Sequence, residues 1–283
     1  MMGSSILQDN LVLTDQEFEN ISQLVYDHCG IDLHEGKKEL VRSRLAKLVR
    51  KYNASSFEEY RTRVVSDKSD QMMTELTDAI STNLTSFFRE SQHFQFLSDT
   101  LIPELILRKS GKPSKIRCWS AGCSTGEEPY TIAITLLESL RNDPQWDVKI
   151  LATDISSRVL QWAQQGLYDE QRVAPVPGAL KSRYLSAVRH NGKTHYQVCP
   201  TLQKTIVFKY LNLMESWPFK GPLDFIFCRN VMIYFDKSTQ QKLVHRYWET
   251  LDRGGYLFTG HSESLTGIAH KFRYIQPTIY RKD

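Results

Sequence analysis

The sequence lacks any apolar run approaching the ~18 residues of a membrane-spanning helix, which argues against a helical membrane protein. Residues 1–10 lack the basic start and apolar core of a secretory signal, so we expect no leader and a cytoplasmic protein. The five cysteines are scattered, and Cys118 and Cys228 lie in apolar runs, which is typical of reduced thiols rather than of a disulfide framework. Neither the CxxC nor the HxxxH spacing of metal ligands occurs, so the sequence predicts no metal site.

The composition is that of an ordinary globular protein. With 283 residues, 41% hydrophobic and 24% charged, the chain has the size of one large domain or two smaller ones. The net charge of +4 is mild but unevenly spread, because residues 37–52 carry seven basic side chains and one acidic one. The charge pattern therefore indicates one basic segment rather than a generally basic protein.

Residues 1–80 predict an all-helical domain. Thr14 and Glu17 have the spacing of a capping box, and apolar residues follow at helical intervals until Gly30, a suitable stop. Further helices are predicted at 37–52, 55–65 and 69–80. Residues 81–112 are predicted to form a linker and helix between this domain and the remainder of the chain.

Residues 113–283 alternate short apolar runs with amphipathic stretches, which predicts an α/β fold with a parallel doubly wound sheet. The Asn191-Gly192 pair between two alternating segments is a strong hairpin signal, so residues 177–203 are predicted to be a small β insertion. A second hairpin near the end of the chain would add an antiparallel edge. The predicted strands of the main sheet are 116–120, 148–153, 205–210, 224–228, 256–259, 272–276 and 278–281.

The segment KIRCWSAGCSTGEEPY, residues 115–130, combines a buried strand, a turn with two glycines and a helix that opens with Glu127 and Glu128. This order is typical of a nucleotide-binding loop. Because a helix N-terminus attracts phosphate and these carboxylates would repel it, the segment favours a cationic, phosphate-free nucleoside such as S-adenosylmethionine. Acids in a first helical turn are also favourable without a ligand, so both interpretations stay open.

Polar residues follow several predicted strands at their carboxyl ends, where open α/β sheets bind ligands. Asp154 follows the second strand and could accept the hydroxyls of a ribose, or it could cap the next helix. After the later strands come Asn212-Leu213, Arg229-Asn230 and His261, the last of these a weak candidate for substrate contact. Together they predict a site at this edge of the sheet.

Four segments carry a resemblance to a known family: NLTSFFRE at 83–90, WSAGCSTGEEPY at 119–130, ATDI at 152–155 and FCRNVMIYFD at 227–236. With these segments in order and correctly spaced, the chain resembles the CheR family, the S-adenosylmethionine-dependent glutamate O-methyltransferases of bacterial chemoreceptors. The resemblance covers nearly the whole chain and implies the class I methyltransferase fold, a Rossmann-like doubly wound sheet. It also implies the reaction, in which a methyl group passes to the side-chain carboxylate of receptor glutamates, giving glutamate methyl ester and S-adenosylhomocysteine.

The resemblance implies a role for each matching residue. Asn83, Thr85 and Arg89 would lie over the cofactor, Glu127 would bind its methionine end and Asp154 its ribose. Asn212 and Leu213 would border the adenine, Arg229 and Asn230 would complete the pocket, and Arg89 and Tyr234 would flank the reacting centre. Glu128 could replace Glu127, because the sequence does not fix the phase of the helix.

The resemblance also implies a receptor partner, whose methylation region is a helical bundle rich in Glu and Gln. The basic helix 37–52 would steer toward it, since Arg44, Lys47 and Lys51 are spaced to share one exposed face, with Arg42 and Arg50 on its flanks. In some family members the β insertion docks a peptide at the receptor C-terminus, and the sequence leaves this open. We expect no nucleic-acid partner, because the sequence has no nucleic-acid-binding motif, and no insertion into a membrane.

Alternatives remain for single residues and for the whole chain. Arg89 could pair with Glu90 or Asp99, Tyr234 could pack on the sheet edge, and His93 is interpreted as structural. A non-catalytic S-adenosylmethionine-sensing adaptor, or a methyltransferase for nucleic acids or small acids, are the rival functions.

Overall fold

The computed structural model describes residues 11–109, 114–141 and 143–283, which divide into two compact units. The chain up to Thr82, together with Tyr234–Asp236, forms the first unit, and residues 83–233 and 237–283 form the second. Residues 1–10, on which the expectation of no leader depends, lie outside the described residues. Within the described ranges, no helix is both long and apolar enough to span a membrane.

The first unit is helical, as predicted. Its core is made by apolar side chains at helical spacing, including Leu45, Val49, Phe57 and Leu76, all of which are fully buried. The segment Tyr234–Asp236 joins this unit through a single antiparallel bridge between Ile31 and Phe235. The helices are α1 (Asp15–Cys29), α2 (Lys38–Lys51), α3 (Phe57–Ser66) and α4 (Gln71–Ile80).

The predicted capping box begins α1. The Thr14 hydroxyl accepts from the Glu17 backbone N–H at 3.2 Å, and the Glu17 carboxylate accepts from the Thr14 N–H at 3.0 Å. The other Glu17 carboxylate oxygen accepts from the Glu58 N–H at 3.1 Å, so the same box also holds the first turn of α3. At the far end Gly30 adopts φ 74° and closes α1, as predicted.

Replacing Thr14 by alanine is expected to lower the free energy of unfolding by about 1 kcal/mol, the usual cost of a lost helix cap. Urea unfolding followed by helical circular dichroism measures it. Thr62→Ala is the matched control, because the Thr62 hydroxyl bonds back to the Glu58 carbonyl of its own helix and alanine favours the helix interior. Equal losses in both variants would contradict the capping role.

The second unit holds the predicted α/β fold. Strand β1 is central, since the chain builds outward from it on one side and then returns to build on the other. The helices are α5 (Gln92–Phe96), α6 (Ile102–Lys109), α7 (Glu127–Ser139), α8 (Ser157–Gln165), α9 (Glu170–Val173), α10 (Gly178–Tyr184), α11 (Pro200–Thr205) and α12 (Lys237–Thr250), with a π-helical stretch, Leu97–Leu101, between α5 and α6. The strands are β1 (Lys115–Ala121), β2 (Asp147–Asp154), β3 (Leu167–Asp169), β4 (Leu185–His190), β5 (Lys193–Val198), β6 (Ile206–Tyr210), β7 (Leu223–Cys228), β8 (Leu251–Thr259), β9 (Arg273–Gln276) and β10 (Ile279–Arg281).

The main sheet has the strand order β6-β2-β1-β7-β8-β10-β9. Neighbours from β6 to β8 pair in parallel, and β10 pairs antiparallel with both β8 and β9. This confirms the doubly wound sheet with an antiparallel edge hairpin. The direction of winding reverses between β1 and β7, and ligands of such sheets bind beside that point, outside the carboxyl ends of the strands.

The β insertion is larger than the predicted range 177–203. β4 and β5 pair around Asn191 and Gly192, both with positive φ as a tight hairpin requires, but β3 also pairs with β5 and completes a three-stranded sheet. The prediction missed β3 because three residues after a helix are too few to show strand alternation. It also missed the short helices α10, which lies within the predicted range, and α11, which begins within that range and ends at Thr205.

Candidate functional site

The glycine turn follows β1 at the point where the winding of the sheet reverses. Gly122 and Gly126 adopt φ values of 84° and 97°, the region that side chains with a Cβ rarely enter. The backbone N–H groups of Gly122 and Cys123 both donate to the Thr153 carbonyl, at 2.8 and 2.9 Å. The turn is therefore held with its backbone against the end of β2, at the edge of the sheet where ligands of such folds bind.

Gly122→Ala is expected to lower the free energy of unfolding by about 1–3 kcal/mol, as overpacking does. A Cβ at this position would lie 2.3 Å from Cγ2 of Val231, in addition to the strain of its positive φ. Gly267→Ala is the matched control, because Gly267 has φ 79° with no atom within 4 Å of a built Cβ. A similar loss in both variants would assign the effect to backbone conformation alone; urea titration followed by tryptophan fluorescence measures it.

Asp154 ends β2 and joins two loops. Its Oδ2 accepts from the Ser124 N–H at 2.8 Å and its Oδ1 from the Ser156 N–H at 2.9 Å. The alternative that Asp154 caps α8 is wrong, because Ser156 is the cap and its hydroxyl accepts from the Val159 N–H. A carboxylate has about four acceptor sites, so Asp154 retains the capacity to accept ribose hydroxyls.

Glu127, the first residue of α7, is fully buried and already paired. Its Oε1 accepts from Arg172 Nη1 at 2.6 Å, and its Oε2 accepts from the Thr125 hydroxyl at 2.6 Å. The sequence suggested a bare negative charge at this position, but the Glu127 carboxylate is already paired within the protein. Its position is nevertheless open to a ligand, since Glu127 lines a cavity of about 290 Å³ with Thr85, Ser86 and Arg172.

Glu128, the next residue, lies in a chain of charged groups. It accepts from the Ser120 hydroxyl at 2.7 Å and lies 3.4 Å from Arg229 Nη1. Arg229, 2% exposed at its side chain, also contacts the Glu90 carboxylate at 3.2 Å and donates to the Arg89 carbonyl at 2.5 Å. Burial raises the pKa of the Glu128 carboxyl, and the charge of Arg229 opposes this. Glu128 is thus paired within the protein, as Glu127 is; of the two, Glu127 lines the cavity beside Arg172.

Arg89 lies in a strained turn before α5. Its neighbours Phe88 and Glu90 have φ values of 55° and 57°, which are unusual for side chains of this size. The turn is held by the Thr131 hydroxyl, which accepts from the Phe88 N–H at 3.2 Å. Arg89 is partly exposed, and its Nη1 donates to the Leu84 carbonyl at 2.7 Å. Strain of this kind concentrates at functional sites, so the turn supports a role for Arg89.

The predicted pairing of Arg89 with Glu90 is marginal, because Arg89 Nε and Glu90 Oε1 lie 4.0 Å apart. Asn83 contributes its backbone carbonyl, which accepts from the Ser124 hydroxyl at 3.0 Å. This contact joins the segment 83–90 to the glycine turn. The two segments with the most specific sequence patterns are therefore neighbours in space.

Asn212 and Leu213 follow β6 in a loop held by its own contacts. The Asn212 side chain accepts from the Met214 N–H at 3.0 Å, and Arg246 donates to the Leu213 and Glu215 carbonyls. Arg246 also stacks on the Trp217 ring at 3.9 Å. The loop is thus held by hydrogen bonds to its own backbone and by its contacts with Arg246.

Asn230 follows β7 with φ 60°, and its N–H donates to Glu263 at 2.7 Å. The same carboxylate accepts from the backbone N–H groups of Ile233 and Gly260. Burial raises the pKa of Glu263, although these N–H groups oppose the shift. Glu263 therefore fixes the loops after β7 and β8 in one arrangement.

Tyr234 belongs to the first unit, whereas Arg89 belongs to the second. The Tyr234 hydroxyl donates to the Thr82 carbonyl at 3.4 Å, and its backbone carbonyl accepts from the Asp32 N–H. The Lys37 ammonium lies 5.5 Å from the ring centroid. These contacts lie within the first unit, so they differ from the alternative in which Tyr234 packs on the edge of the sheet.

The basic helix α2 is less open than predicted. Arg44 is partly buried, because its guanidinium donates to the Ile80 and Ser81 carbonyls at the end of α4. Lys51 pairs with Glu75 at 2.6 Å and Arg42 with Glu39 at 2.9 Å. The predicted exposed face of Arg44, Lys47 and Lys51 is wrong for Arg44, whereas Lys47 and Lys51 are exposed, as is Arg50 on its flank.

Sequence reasoning missed several residues that hold this site together. Arg172 pairs with Glu127, Glu90 with Arg229, and Glu263 with three backbone amides. Glu90 and Glu263 adjoin residues that were singled out, Arg89 and His261, and adjacency could have pointed to them. Arg172 and Arg246 lie on helices with no distinguishing pattern, so no sequence signal identifies them.

Comparisons with known proteins agree with this geometry. The model of the CheR methyltransferase SAM (S-adenosylmethionine) binding domain matches residues 83–281, and that of the CheR methyltransferase all-alpha domain matches residues 16–81. The chain is 43% identical over 277 residues to a chemotaxis protein methyltransferase of Borreliella burgdorferi, covering 97% of this chain and 96% of that protein. It is 44% identical over 260 residues to a probable chemotaxis protein methyltransferase of Rhizobium etli, covering 91% and 96%. These matches confirm the resemblance, and the chain belongs to the CheR methyltransferase family, whose SAM-binding domain forms its second unit.

Proposed function

We propose that this protein transfers the methyl group of SAM to the side-chain carboxylate of glutamates in chemoreceptors, in the cytoplasm. The products would be glutamate methyl ester and S-adenosylhomocysteine. The observation that carries the proposal is the similarity along nearly the whole chain to a chemotaxis protein methyltransferase. The arrangement of charged residues at the strand ends supports the same reaction.

The residues at this edge of the sheet fit the methyl donor. The Asp154 carboxylate suits two ribose hydroxyls, and the Glu127 carboxylate beside its cavity suits an ammonium group. The absence of a Cβ at Gly122 and Gly126 lets the turn pack against the side chains of Val231, Ala163 and Tyr168, which fixes its backbone at the end of β1. The proposed binding set is Asn83, Thr85, Arg89, Glu127, Asp154, Asn212, Leu213, Arg229 and Asn230.

When bound, SAM supplies a methyl group on a sulfonium; the acceptor oxygen forms a bond to that carbon as the carbon–sulfur bond breaks, and its electron pair stays on sulfur. A glutamate side chain is ionised near pH 7 because its pKa is about 4.3, so no general base is needed. The task of the protein is to orient the acceptor and remove its water, which can be worth on the order of 7–11 kcal/mol.

Arg89 is proposed to orient the acceptor carboxylate. A guanidinium can hold both oxygens of a carboxylate, and the contact of Arg89 Nη1 with the Leu84 carbonyl fixes the side chain in advance. Because Arg89 is partly exposed, its attraction is screened and does not quench the nucleophile. For Tyr234, whose described contacts lie within the first unit, a role in confining the methyl group is proposed from the resemblance alone.

The proposal is tested by incubating the protein with SAM labelled in its methyl group and a receptor cytoplasmic fragment. We expect label on the fragment that mild alkali releases as methanol, because a glutamate ester is base-labile and a methylated amine is not. A fragment whose acceptor glutamates are replaced by alanine should take up no label. Binding of SAM without transfer would instead favour the sensing adaptor, and alkali-stable label would favour another acceptor.

The receptor partner is proposed to meet the exposed cations of α2, namely Lys47, Arg50 and Lys51, with Arg42 beside them. A helical bundle rich in Glu offers the complementary charge. Arg44 is expected to contribute through the stability of α4 instead, because its guanidinium is bound to backbone carbonyls.

The double variant Lys47→Glu with Arg50→Glu is expected to reduce receptor methylation by about 10-fold at low salt, with little change in SAM affinity, because steering charges act mainly on encounter. The loss should shrink at high salt. Lys68→Glu with Arg253→Glu is the control, since it changes the net charge equally at exposed positions outside α2. Equal losses in both double variants would refute docking at α2.

The three-stranded sheet is the proposed site for a receptor C-terminal peptide, should this protein use one. β4 is an outer strand of that sheet, and Ser186, Ala187 and Arg189 on it are exposed. An extended peptide can add to such an edge through main-chain hydrogen bonds.

A further inference from the structure

Three possible metal ligands meet beside the strained turn of the second unit. Glu90 precedes α5, His93 lies within it, and His261 follows β8. Glu90 Oε2 lies 3.6 Å from His93 Nδ1 and 3.8 Å from His261 Nε2, and the three ligand atoms lie within 4.8 Å of one another. Spacing rules predicted no metal site, because nearly the whole second unit separates His93 from His261 along the chain.

The contacts of His93 fix which ring nitrogen carries the proton. The Thr278 hydroxyl donates to the Pro277 carbonyl at 2.6 Å, so it accepts from His93 Nε2 at 2.7 Å. Nδ1 therefore presents a lone pair toward Glu90. A backing hydrogen bond of this kind is how metal-binding histidines are oriented.

His93 Nδ1 is buried and has no hydrogen-bond partner among the described residues. The side chain is 2% exposed, and the Glu90 oxygen that faces it is also an acceptor, at a distance too long for a hydrogen bond. Two acceptors facing each other inside a protein are unfavourable unless an electropositive group lies between them. Glu90 Oε2 also accepts from Arg229 Nε at 3.3 Å, so the atom left without a partner is His93 Nδ1, and a cation bound between it and Glu90 would satisfy it.

We propose that Glu90, His93 and His261 form a site for a divalent transition metal of the zinc type. Two imidazole nitrogens and one carboxylate oxygen are a donor set that such ions accept while keeping a position open to solvent. Bonds of about 2.0–2.1 Å in a tetrahedral site place ligand atoms roughly 3.4 Å apart, close to the two distances to Glu90. His261 is 52% exposed and can close the remaining gap.

The local charge allows the cation. Glu90 and Glu263 both act on the Glu128 carboxyl as negative charges, and Arg229, which contacts Glu90 and Glu128, offsets part of this negative charge. Arg229 shares Glu90 Oε2 in the metal-free arrangement, but its contacts with Glu128 and with the Arg89 carbonyl do not depend on that oxygen. Occupancy would thus fix Glu90, and through it the turn that carries Arg89.

The test is calorimetric titration of zinc into the full chain, freed of metal with a chelator, in a Cys199→Ser background that removes a partly exposed thiol. We expect one equivalent of zinc to bind, and His261→Ala to weaken the binding by about 10–100-fold or more. His245→Ala is the matched control, because His245 is similarly exposed and lies 3.3 Å from the Glu249 carboxylate. The visible absorption of bound cobalt reports the ligands without reference to methyl transfer.

Stoichiometric binding that is lost in His261→Ala and kept in His245→Ala would support the site. Absence of stoichiometric binding, equal binding in His261→Ala, or equal losses in both histidine variants would overturn it. His93→Gln gives a second check, since its loss of the cobalt absorption is expected while SAM binding persists. Failure of these experiments leaves the proposed methyl transfer untouched, because no step of it uses the metal.

Discussion

Arg229→Met is expected to lower the free energy of unfolding of the second unit by about 3–5 kcal/mol, the usual result of breaking a buried ion pair from one side. The Arg229 side chain is 2% exposed and lies between the Glu90 and Glu128 carboxylates. Without it both carboxylates stay buried and lose their compensating charge. The variant also loses a donor to the Arg89 carbonyl, so the turn that carries Arg89 is released as well.

Urea unfolding followed by tryptophan fluorescence measures this loss, because all five tryptophans belong to the second unit. Arg273→Met is the control. Arg273 pairs with Asp283 at 2.9 Å, but both side chains are more than half exposed, so a change of at most about 1 kcal/mol is expected. Similar losses in both variants would mean that burial does not set the strength of these pairs.

The loss in Arg229→Met should depend on pH. Burial raises the pKa of Glu128, and removing Arg229 takes away the charge that opposes this shift. A carboxyl group whose pKa is raised on folding contributes stability below its unfolded value of about 4.3 and loses it as the pH rises through the folded value. The deficit of the variant should therefore shrink as the pH falls from about 7, and a deficit that grows would contradict this account.

Arg89→Lys is expected to reduce kcat for receptor methylation by about 100-fold, the order of loss that follows from a misplaced reacting group. Lysine keeps the positive charge, but it cannot hold two carboxylate oxygens in one plane. It also cannot keep the present contact with the Leu84 carbonyl while reaching the acceptor, so the charge would no longer be fixed in advance.

Steady-state methylation and SAM titration, measured on the same preparation, distinguish the two roles assigned to Arg89. We expect kcat to fall far more than SAM affinity, with an unchanged thermal midpoint. Arg253→Lys, at an exposed surface position, should behave as the unaltered protein. If kcat stays within a few-fold, Arg89 does not orient the acceptor; if SAM affinity falls in the same proportion, its role is in binding the donor.

The elements that sequence predicts well are those whose signals are local. The capping box of Thr14 and Glu17, the glycine turn after β1 and the Asn191-Gly192 hairpin each depend on neighbouring residues, and each forms as expected. β3 escaped because a three-residue strand exists only through its pairing with β5. The same difference between local signals and contacts of distant residues applies to the candidate site residues.

The sequence could not predict which residues, distant along the chain, pair with each charged side chain. The sequence suggested that Glu127 and Glu128 are unpaired acids at the start of a helix. In the structure Glu127 pairs with Arg172, and Glu128 pairs with Arg229. Arg44 read as a docking charge, yet its guanidinium is bound to the end of α4. Residue type and spacing predict where a group lies on its own element, but which charge neutralises it is decided by tertiary packing.

The β insertion supplies two of the groups that hold the start of α7. The Tyr168 hydroxyl donates to the Thr125 carbonyl at 2.6 Å, and Arg172 neutralises Glu127 from the helix that follows β3. Exchanging this small sheet between relatives, or deleting it, would remove the positive charge that neutralises Glu127 directly after the glycine turn. The β insertion therefore stabilises the start of α7, and chimaeras that exchange it must keep Tyr168 and Arg172.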